Sequence, residues 1–241
     1  YDDRGRETLE RVYSMVFETE DALVRHTFVN GTHAISTVFY ALLRPGDTLY
    51  SVSGAPYDTL LQTVTQNGGG SLADFGIHYK QTEIQNDEPN YDEIKKTLKS
   101  DKTIKLVFIQ RSRGYTQRKA LSLTQIKNIC DIVHENSDAC VFIDNCYGEF
   151  VCEHEPTFAG ADIIAGSLIK NPGGGLARTG GYIAGKKELI TLCANRHTSV
   201  GIGKECGATL GEISQMFQGF FMAPHTCLLY TSPSPRDYAA S

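Results

Sequence analysis

Short apolar segments separated by amphipathic helical patterns constrain the fold of this chain more than any other feature. The apolar segments lie at residues 48–52, 104–109, 140–143, 162–167 and 181–184. Apolar residues at helical spacing occupy residues 7–18, 31–42, 57–67, 91–99, 123–135 and 206–222. Near-continuous apolar strands are typical of a sheet that is buried on both faces. The alternation therefore predicts an α/β protein with a mostly parallel sheet flanked by helices.

Composition and charge exclude several classes of function. Hydrophobic residues make up 41% of the 241 residues and charged residues 21%, which argues against disorder across the whole chain. The net charge is −5, without a block of like charges, so neither a nucleic acid nor an anionic membrane is expected as partner. No apolar run reaches the roughly 18 residues that span a bilayer, and the charged start is not a signal peptide.

The cysteines and histidines predict neither disulfides nor a metal centre. There are 7 cysteines, an odd number, and none forms a C-x-x-C pair. This pattern favours reduced thiols and a cytoplasmic location. The 7 histidines form no ligand-spaced cluster, so no metal is expected.

The last fifteen residues, 227–241, differ in composition from the rest of the chain. They are rich in Ser and Pro and look like a translated sequencing adapter. We expect this segment to be a non-native, disordered tail. The chain also begins at Tyr1 without an initiator Met, so we expect an incomplete N-terminus.

Two candidate ligand sites lie at predicted helix starts, near the strand ends where α/β sheets collect ligands. The segment 30–33 opens a helix with Asn-Gly-Thr-His. Backbone N–H groups and the helix dipole make such a start an anion site, and Thr32 adds a hydroxyl. The alternative is an ordinary helix cap. Tyr57 begins a later helix, where its ring either stacks on a flat cofactor or packs against neighbouring side chains.

Two further candidates end buried strands. Asp144 follows segment 140–143, and a buried carboxylate there requires a partner: a protonated ring nitrogen, a metal or its own loop. Lys170 stands three residues after Ser167 and shortly before Gly173, Gly174 and Gly175. A half-buried lysine loses proton affinity and becomes a nucleophile for Schiff-base chemistry. The alternative is a solvent-exposed lysine.

The order and spacing of these features carry more information than each one alone. Gly31 and Tyr57 are 26 residues apart, as are Asp144 and Lys170. The most informative segments are FVNGTHA (28–34), LRPGD (43–47), IQRSRGY (109–115), FIDNCYGEF (142–150) and SLIKNPGGG (167–175). Through them the chain resembles the large domain of fold-type I pyridoxal-5′-phosphate (PLP) enzymes of cysteine and methionine metabolism. Within that group it is most similar to the methionine gamma-lyase-related family labelled aluminium resistance protein.

The resemblance implies a PLP-binding large domain over residues 1–226, without the small C-terminal domain of the family. Lys170 would be the catalytic residue and would hold PLP as a Schiff base, and Asp144 would pair with the pyridinium nitrogen. The remaining cofactor contacts would be the phosphate ligands and a stacking ring: Gly31, Thr32, Ser167 and Tyr57.

Other contacts follow from the resemblance with less support from the motifs. Gln110 or Arg113 would touch the cofactor ring or the substrate. In the wider group a tyrosine and an arginine of the partner subunit reach the phosphate, so a homodimer or homotetramer is implied. Tyr1 matches the tyrosine; the arginine position holds Asp3, and Arg4 or Arg6 would take its place.

The function that this resemblance implies is a PLP-dependent carbon–sulfur lyase of the methionine gamma-lyase kind. It would eliminate a thiol from a sulfur-containing amino acid and leave a 2-oxo acid and ammonia. Three alternatives to this function remain open. The first is an aminotransferase or another PLP lyase, the second is a phosphate- or nucleotide-binding module that is not an enzyme, and the third is an inactive fragment of an enzyme.

Overall fold

A seven-stranded sheet forms the centre of the chain in the computed structural model, which describes residues 3–114 and 118–231. The strands are β1 (Asp21–Arg25), β2 (Thr48–Ser51), β3 (His78–Gln81), β4 (Ile104–Gln110), β5 (Cys140–Asp144), β6 (Ile163–Ser167) and β7 (Gly181–Gly185). Their order in the sheet is β1-β7-β6-β5-β4-β2-β3. Five strands that are neighbours in this order, β6, β5, β4, β2 and β3, run parallel to one another. Strand β7 is antiparallel to both β6 and β1. The predicted mostly parallel sheet is confirmed.

Helices cover both faces of this sheet. They are α1 (Arg4–Val16), α2 (Gly31–Leu42), α3 (Asp58–Thr65), α4 (Tyr91–Ser100), α5 (Leu123–Asn136), α6 (Lys187–His197) and α7 (Ile213–Thr231). One buried cluster joins the sheet to α1, α4, α5 and α7, and the other joins it to α2, α3 and α6. Along β4, Val107 and Ile109 face the first cluster, whereas Leu106 and Phe108 face the second. This alternation explains why the strand reads as one apolar run.

Three elements were not predicted from the sequence. Strand β3 is an edge strand of polar residues, most of them exposed, so it lacks the apolar run of the central strands. Strand β1 lies at the opposite edge, and α6 follows β7. The last helix begins at residue 213 rather than 206, after glycines at 207 and 211 that adopt positive φ angles.

The last helix also bears on the segment 227–241. Cys227–Thr231 continue α7, and Cys227 is 2% exposed, so these five residues differ from the disorder expected for them. Residues 232–241 lie outside the described part of the chain. Within that part, no helix combines the length and the apolar character that crossing a bilayer requires.

Candidate active site

The carboxyl ends of three neighbouring strands form the floor of a cavity. Gln110 ends β4, Asp144 ends β5 and Ser167 ends β6, and Gln110 is paired in register with Asp144. The cavity has a volume of about 520 Å³ and is lined by all six predicted site residues: Gly31, Thr32, Tyr57, Asp144, Ser167 and Lys170. Residues separated by up to 139 positions in the sequence are therefore brought together by the strand order.

The start of α2 forms one wall of the cavity. Asn30 caps this helix by accepting a hydrogen bond from the His33 backbone N–H at 2.8 Å. The segment is therefore an ordinary helix cap, and it also lines the cavity. Gly31 packs directly against Ser167: a Cβ at residue 31 would lie 3.1 Å from the Ser167 Cβ. Because the helix N-terminus faces the cavity there, it can bind an anionic group.

Tyr57 stands at the entrance to α3 and is tied to two other lining residues. Its hydroxyl is hydrogen-bonded to the Thr32 hydroxyl at 2.9 Å, and its backbone N–H donates to Gln110 Oε1 at 3.0 Å. Burial raises the pKa of Tyr57 to about 12, so the ring stays neutral at physiological pH. These contacts hold the aromatic ring at the cavity wall.

Asp144 is 2% exposed and accepts a hydrogen bond from the Cys146 backbone N–H at 3.0 Å. Burial raises its pKa, against the opposing effects of Cys146 and of the Lys170 charge. A buried carboxylate of this kind is stabilised in its ionised form by a cationic N–H placed beside it. The side chain therefore fits a protonated ring nitrogen.

Lys170 follows β6 and is half-buried. Burial lowers its pKa, but Cys146, Asp144 and Tyr147 oppose this effect and the net pKa is raised. The predicted loss of proton affinity is thus wrong for the chain by itself. The surrounding acids favour the ammonium form of Lys170 more strongly than burial disfavours it.

The turn after Lys170 is in direct backbone contact with α7. Gly174 has a φ of +54°, and a Cβ on it would overlap the Gly219 carbonyl oxygen. A Cβ on Gly219 would in turn overlap the carbonyl oxygen of Gly173. Asn171 Nδ2 donates to the Glu149 carbonyl oxygen at 3.0 Å and holds the same turn from the other side. Lys170 therefore precedes a turn whose position is fixed by close backbone contact with α7.

Glu149 lies in the loop after β5, five residues beyond Asp144, and is completely buried. Its Oε1 accepts a hydrogen bond from the Tyr182 hydroxyl at 2.9 Å, whereas Oε2 has no partner among the described residues. Burial raises the pKa of Glu149 to about 8, and the nearby Glu155 and Asp144 carboxylates contribute to the increase. Glu149 therefore carries a proton at neutral pH.

Several lining residues were not singled out from the sequence. They include two side chains of the turn after β5 and three from other elements: Cys146, Tyr147, Thr59, Ser112 and Ile169. The signal available for Cys146 and Tyr147 is their position directly after Asp144 at a strand end. Of the two residues considered for ring or substrate contact, Gln110 lines the cavity, and exposed Arg113 does not belong to its described lining.

Of the two arginines considered for contact with a partner subunit, Arg6 is buried and Arg4 is exposed. Arg6 is 2% exposed and donates to the carbonyl oxygens of Gly207 at 2.6 Å and Glu205 at 3.1 Å. The Arg6 guanidinium is therefore occupied by contacts within its own chain. Arg4 is exposed in the first turn of α1, and Tyr1 lies outside the described residues.

The cavity offers a further test of whether a phosphorylated cofactor fits. Ser167 is 0% exposed, and its hydroxyl oxygen has no hydrogen-bond partner among the described residues. An unpaired buried hydroxyl is unfavourable unless a ligand group completes its hydrogen bonding. With the α2 start on one side and Asp144 at the floor, the donor set fits a ligand that is anionic at one end and cationic at the other.

The chain is similar to known proteins in sequence and in fold. A family model described as methionine gamma-lyase matches residues 1–229. The chain is 50% identical over 230 residues to the uncharacterized protein YnbB of Bacillus subtilis (strain 168), a match that covers 93% of this chain and 54% of that protein. The chain spans about half the length of the curated relatives it matches.

Two solved structures show the same architecture. A carbon-sulfur lyase involved in aluminum resistance from Clostridium novyi NT has a TM-score of 0.91 and 52% identity, with 95% of this chain and 55% of that chain covered. For apo CalE6, a methionine gamma lyase from Micromonospora echinospora, the TM-score is 0.69, and the match covers 93% of this chain and 54% of the CalE6 chain. At 20% identity that second likeness concerns the fold alone, and it confirms the predicted fold-type I architecture.

Proposed function

This chain belongs to the methionine gamma-lyase family, and from that premise we propose that it is the large-domain part of a PLP-dependent carbon–sulfur lyase. The observation that supports this most is the single cavity that gathers Gly31, Thr32, Tyr57, Asp144, Ser167 and Lys170. The substrate class is an amino acid with a thioether or thiol side chain. Cleavage of its carbon–sulfur bond releases a thiol, and one water molecule converts the remaining fragment into a 2-oxo acid and ammonia.

These six residues have defined tasks in this proposal. Bound PLP supplies an electron-withdrawing pyridinium ring, which makes the proton on the substrate α-carbon acidic. The start of α2 and the Ser167 hydroxyl would hold the phosphate, and Tyr57 would pack on the ring. The Asp144 carboxylate would accept a hydrogen bond from the ring N–H and keep the proton on that nitrogen.

Lys170 has two tasks. Its Nζ would hold the cofactor on the chain, and the same amine would be the base for the proton on the α-carbon of the substrate. The acids around it stabilise the ammonium that it then becomes. The buried floor formed by Asp144 and Ser167 excludes water from one side of the cavity.

Covalent labelling tests the assignment of Lys170. The purified chain is mixed with PLP and reduced with borohydride, and the modified peptide is identified by mass spectrometry. We expect the label on Lys170, and none at that position in Lys170→Ala or in Lys170→Arg, which keeps the positive charge. A folded sample labelled only at scattered surface lysines would refute the assignment and favour a phosphate-binding module.

Ser167→Ala separates ligand binding from stability. Because the buried hydroxyl has no protein partner among the described residues, its removal should leave the free energy of unfolding within about 0.5 kcal/mol of the wild type. The affinity for PLP should fall by roughly tenfold or more, since a hydrogen bond to a charged group is lost. Urea unfolding and absorbance titration measure the two quantities.

Ser112→Ala is the matched control, because Ser112 lines the same cavity without a predicted phosphate contact. It should bind PLP as the wild type does. Undiminished affinity in Ser167→Ala would remove Ser167 from the phosphate site.

A further inference from the structure

Tyr147 has an unusual backbone conformation at the mouth of the cavity. Its φ is +67°, a left-handed conformation that is rare for a bulky residue without a local constraint. The side chain is 61% exposed, so burial of the ring does not account for this conformation. The ring instead lies against the amine of the candidate lysine: Lys170 Nζ is 4.2 Å from its centroid.

A buried arginine holds the turn that contains Tyr147. Arg111 is 4% exposed, and its Nη1 donates to Asn145 Oδ1 at 2.8 Å and to the Gly148 carbonyl oxygen at 2.9 Å. The Gly148 N–H closes the turn by donating to the Asn145 carbonyl oxygen at 2.8 Å. A Cβ at position 148 would lie 2.6 Å from Arg111 Cδ, so only glycine fits beside this clamp. The strained conformation of Tyr147 is therefore imposed by its neighbours.

The position of the ring is suited to a cation. An ammonium over the face of a tyrosine or phenylalanine, within about 6 Å of the centroid, is attracted by the ring quadrupole. The other titratable groups that act on Lys170 are Asp144 and Cys146 at the end of β5 and Tyr57 before α3. Tyr147 contributes an exposed aromatic ring, whereas the Asp144 carboxylate is buried.

We propose that Tyr147 is a positioning residue for Lys170: its clamped ring binds the ammonium form of the lysine and keeps the amine inside the cavity. This inference rests on the proposed function, in which Lys170 carries a proton after acting as the base. The Tyr147 ring is the group against which the protonated amine of Lys170 rests between successive proton transfers. The hydrogen bonds of Arg111 hold the turn, so the ring stays in that position.

The test measures the reactivity of Lys170 in the protein without PLP. Limiting acetic anhydride is added across a pH series, and acetylation of Lys170 is quantified relative to surface lysines by mass spectrometry. Three variants are compared with the wild type: Tyr147→Phe keeps the ring, Tyr147→Leu keeps apolar bulk, and Tyr147→Asn removes both. Asn tolerates the left-handed conformation, so that variant retains the turn.

Loss of the ring should raise the acetylation of Lys170 at a given pH by roughly two- to five-fold in Tyr147→Asn and Tyr147→Leu. Tyr147→Phe should match the wild type. Equal reactivity in all four proteins would overturn the proposal. Wild-type reactivity in Tyr147→Leu would also overturn it, because steric shielding would then suffice. Since no PLP is present, the result is independent of whether the borohydride experiment labels Lys170.

Discussion

Glu10→Ala should lower the free energy of unfolding by about 3–5 kcal/mol, the cost of leaving one partner of a buried ion pair uncompensated. Glu10 and Arg25 are 3% and 6% exposed and form a direct ion pair between α1 and β1. Glu10 Oε1 also accepts a hydrogen bond from the Val24 N–H at 3.1 Å, and Oε2 lies 3.2 Å from Lys204 Nζ. Its removal thus leaves a buried guanidinium and an unpaired backbone donor.

Urea denaturation measures this effect, with Glu7→Ala as the control on the exposed side of the same helix. The control should change the free energy of unfolding by less than about 1 kcal/mol. The double variant Glu10→Gln, Arg25→Met should recover much of the loss, because it removes the buried charge on both sides. A loss below about 1 kcal/mol in Glu10→Ala would show that Arg25 finds another partner or becomes hydrated.

The second large effect is a pH dependence of stability that arises from Glu149. In the unfolded chain this carboxyl loses its proton near its ordinary pKa of about 4.3. In the folded chain it keeps the proton up to about pH 8. Between these values the unfolded state binds fewer protons, so the free energy of unfolding falls as the pH rises, and it levels off above pH 8. The expected loss from pH 5.5 to 8 is on the order of 3 kcal/mol.

Glu149→Gln removes this titration while preserving the size of the side chain. Urea unfolding at pH 5.5, 7 and 8.5 should show a flatter pH dependence in this variant than in the wild type. The exposed Glu153 in the same loop provides the control, since Glu153→Gln should retain the wild-type dependence. Parallel curves for wild type and Glu149→Gln would mean that Glu149 is already ionised in the folded state.

The sequence pattern predicted the central strands and pointed to the six residues that line the cavity, because both depend on local signals. A strand buried on both faces is an apolar run, and Asp144 and Ser167 stand at the ends of such runs. The topology of parallel strands then places these ends together. Edge strand β3 was missed because its residues are largely solvated and carry no apolar periodicity.

The positions of Tyr147 and Lys170 show what a linear pattern does not contain. Tyr147 reaches the cavity through a left-handed turn that is held by Arg111, the residue directly after β4, and no spacing rule encodes this contact. The direction of the Lys170 pKa shift depends on the balance between burial and three neighbours in space. Half-burial alone predicted the wrong sign, since the nearby acids outweigh it.

The backbone contact between the Lys170 turn and α7 has a consequence for laboratory evolution of this scaffold. Gly173, Gly174 and Gly219 admit no side chain, so a library that varies them would be dominated by variants with a displaced lysine. Thr59, Ser112 and Ile169 border the same cavity outside the proposed cofactor contacts. Diversity directed to those three positions would reshape the cavity and leave the glycine contacts between the lysine turn and α7 unchanged.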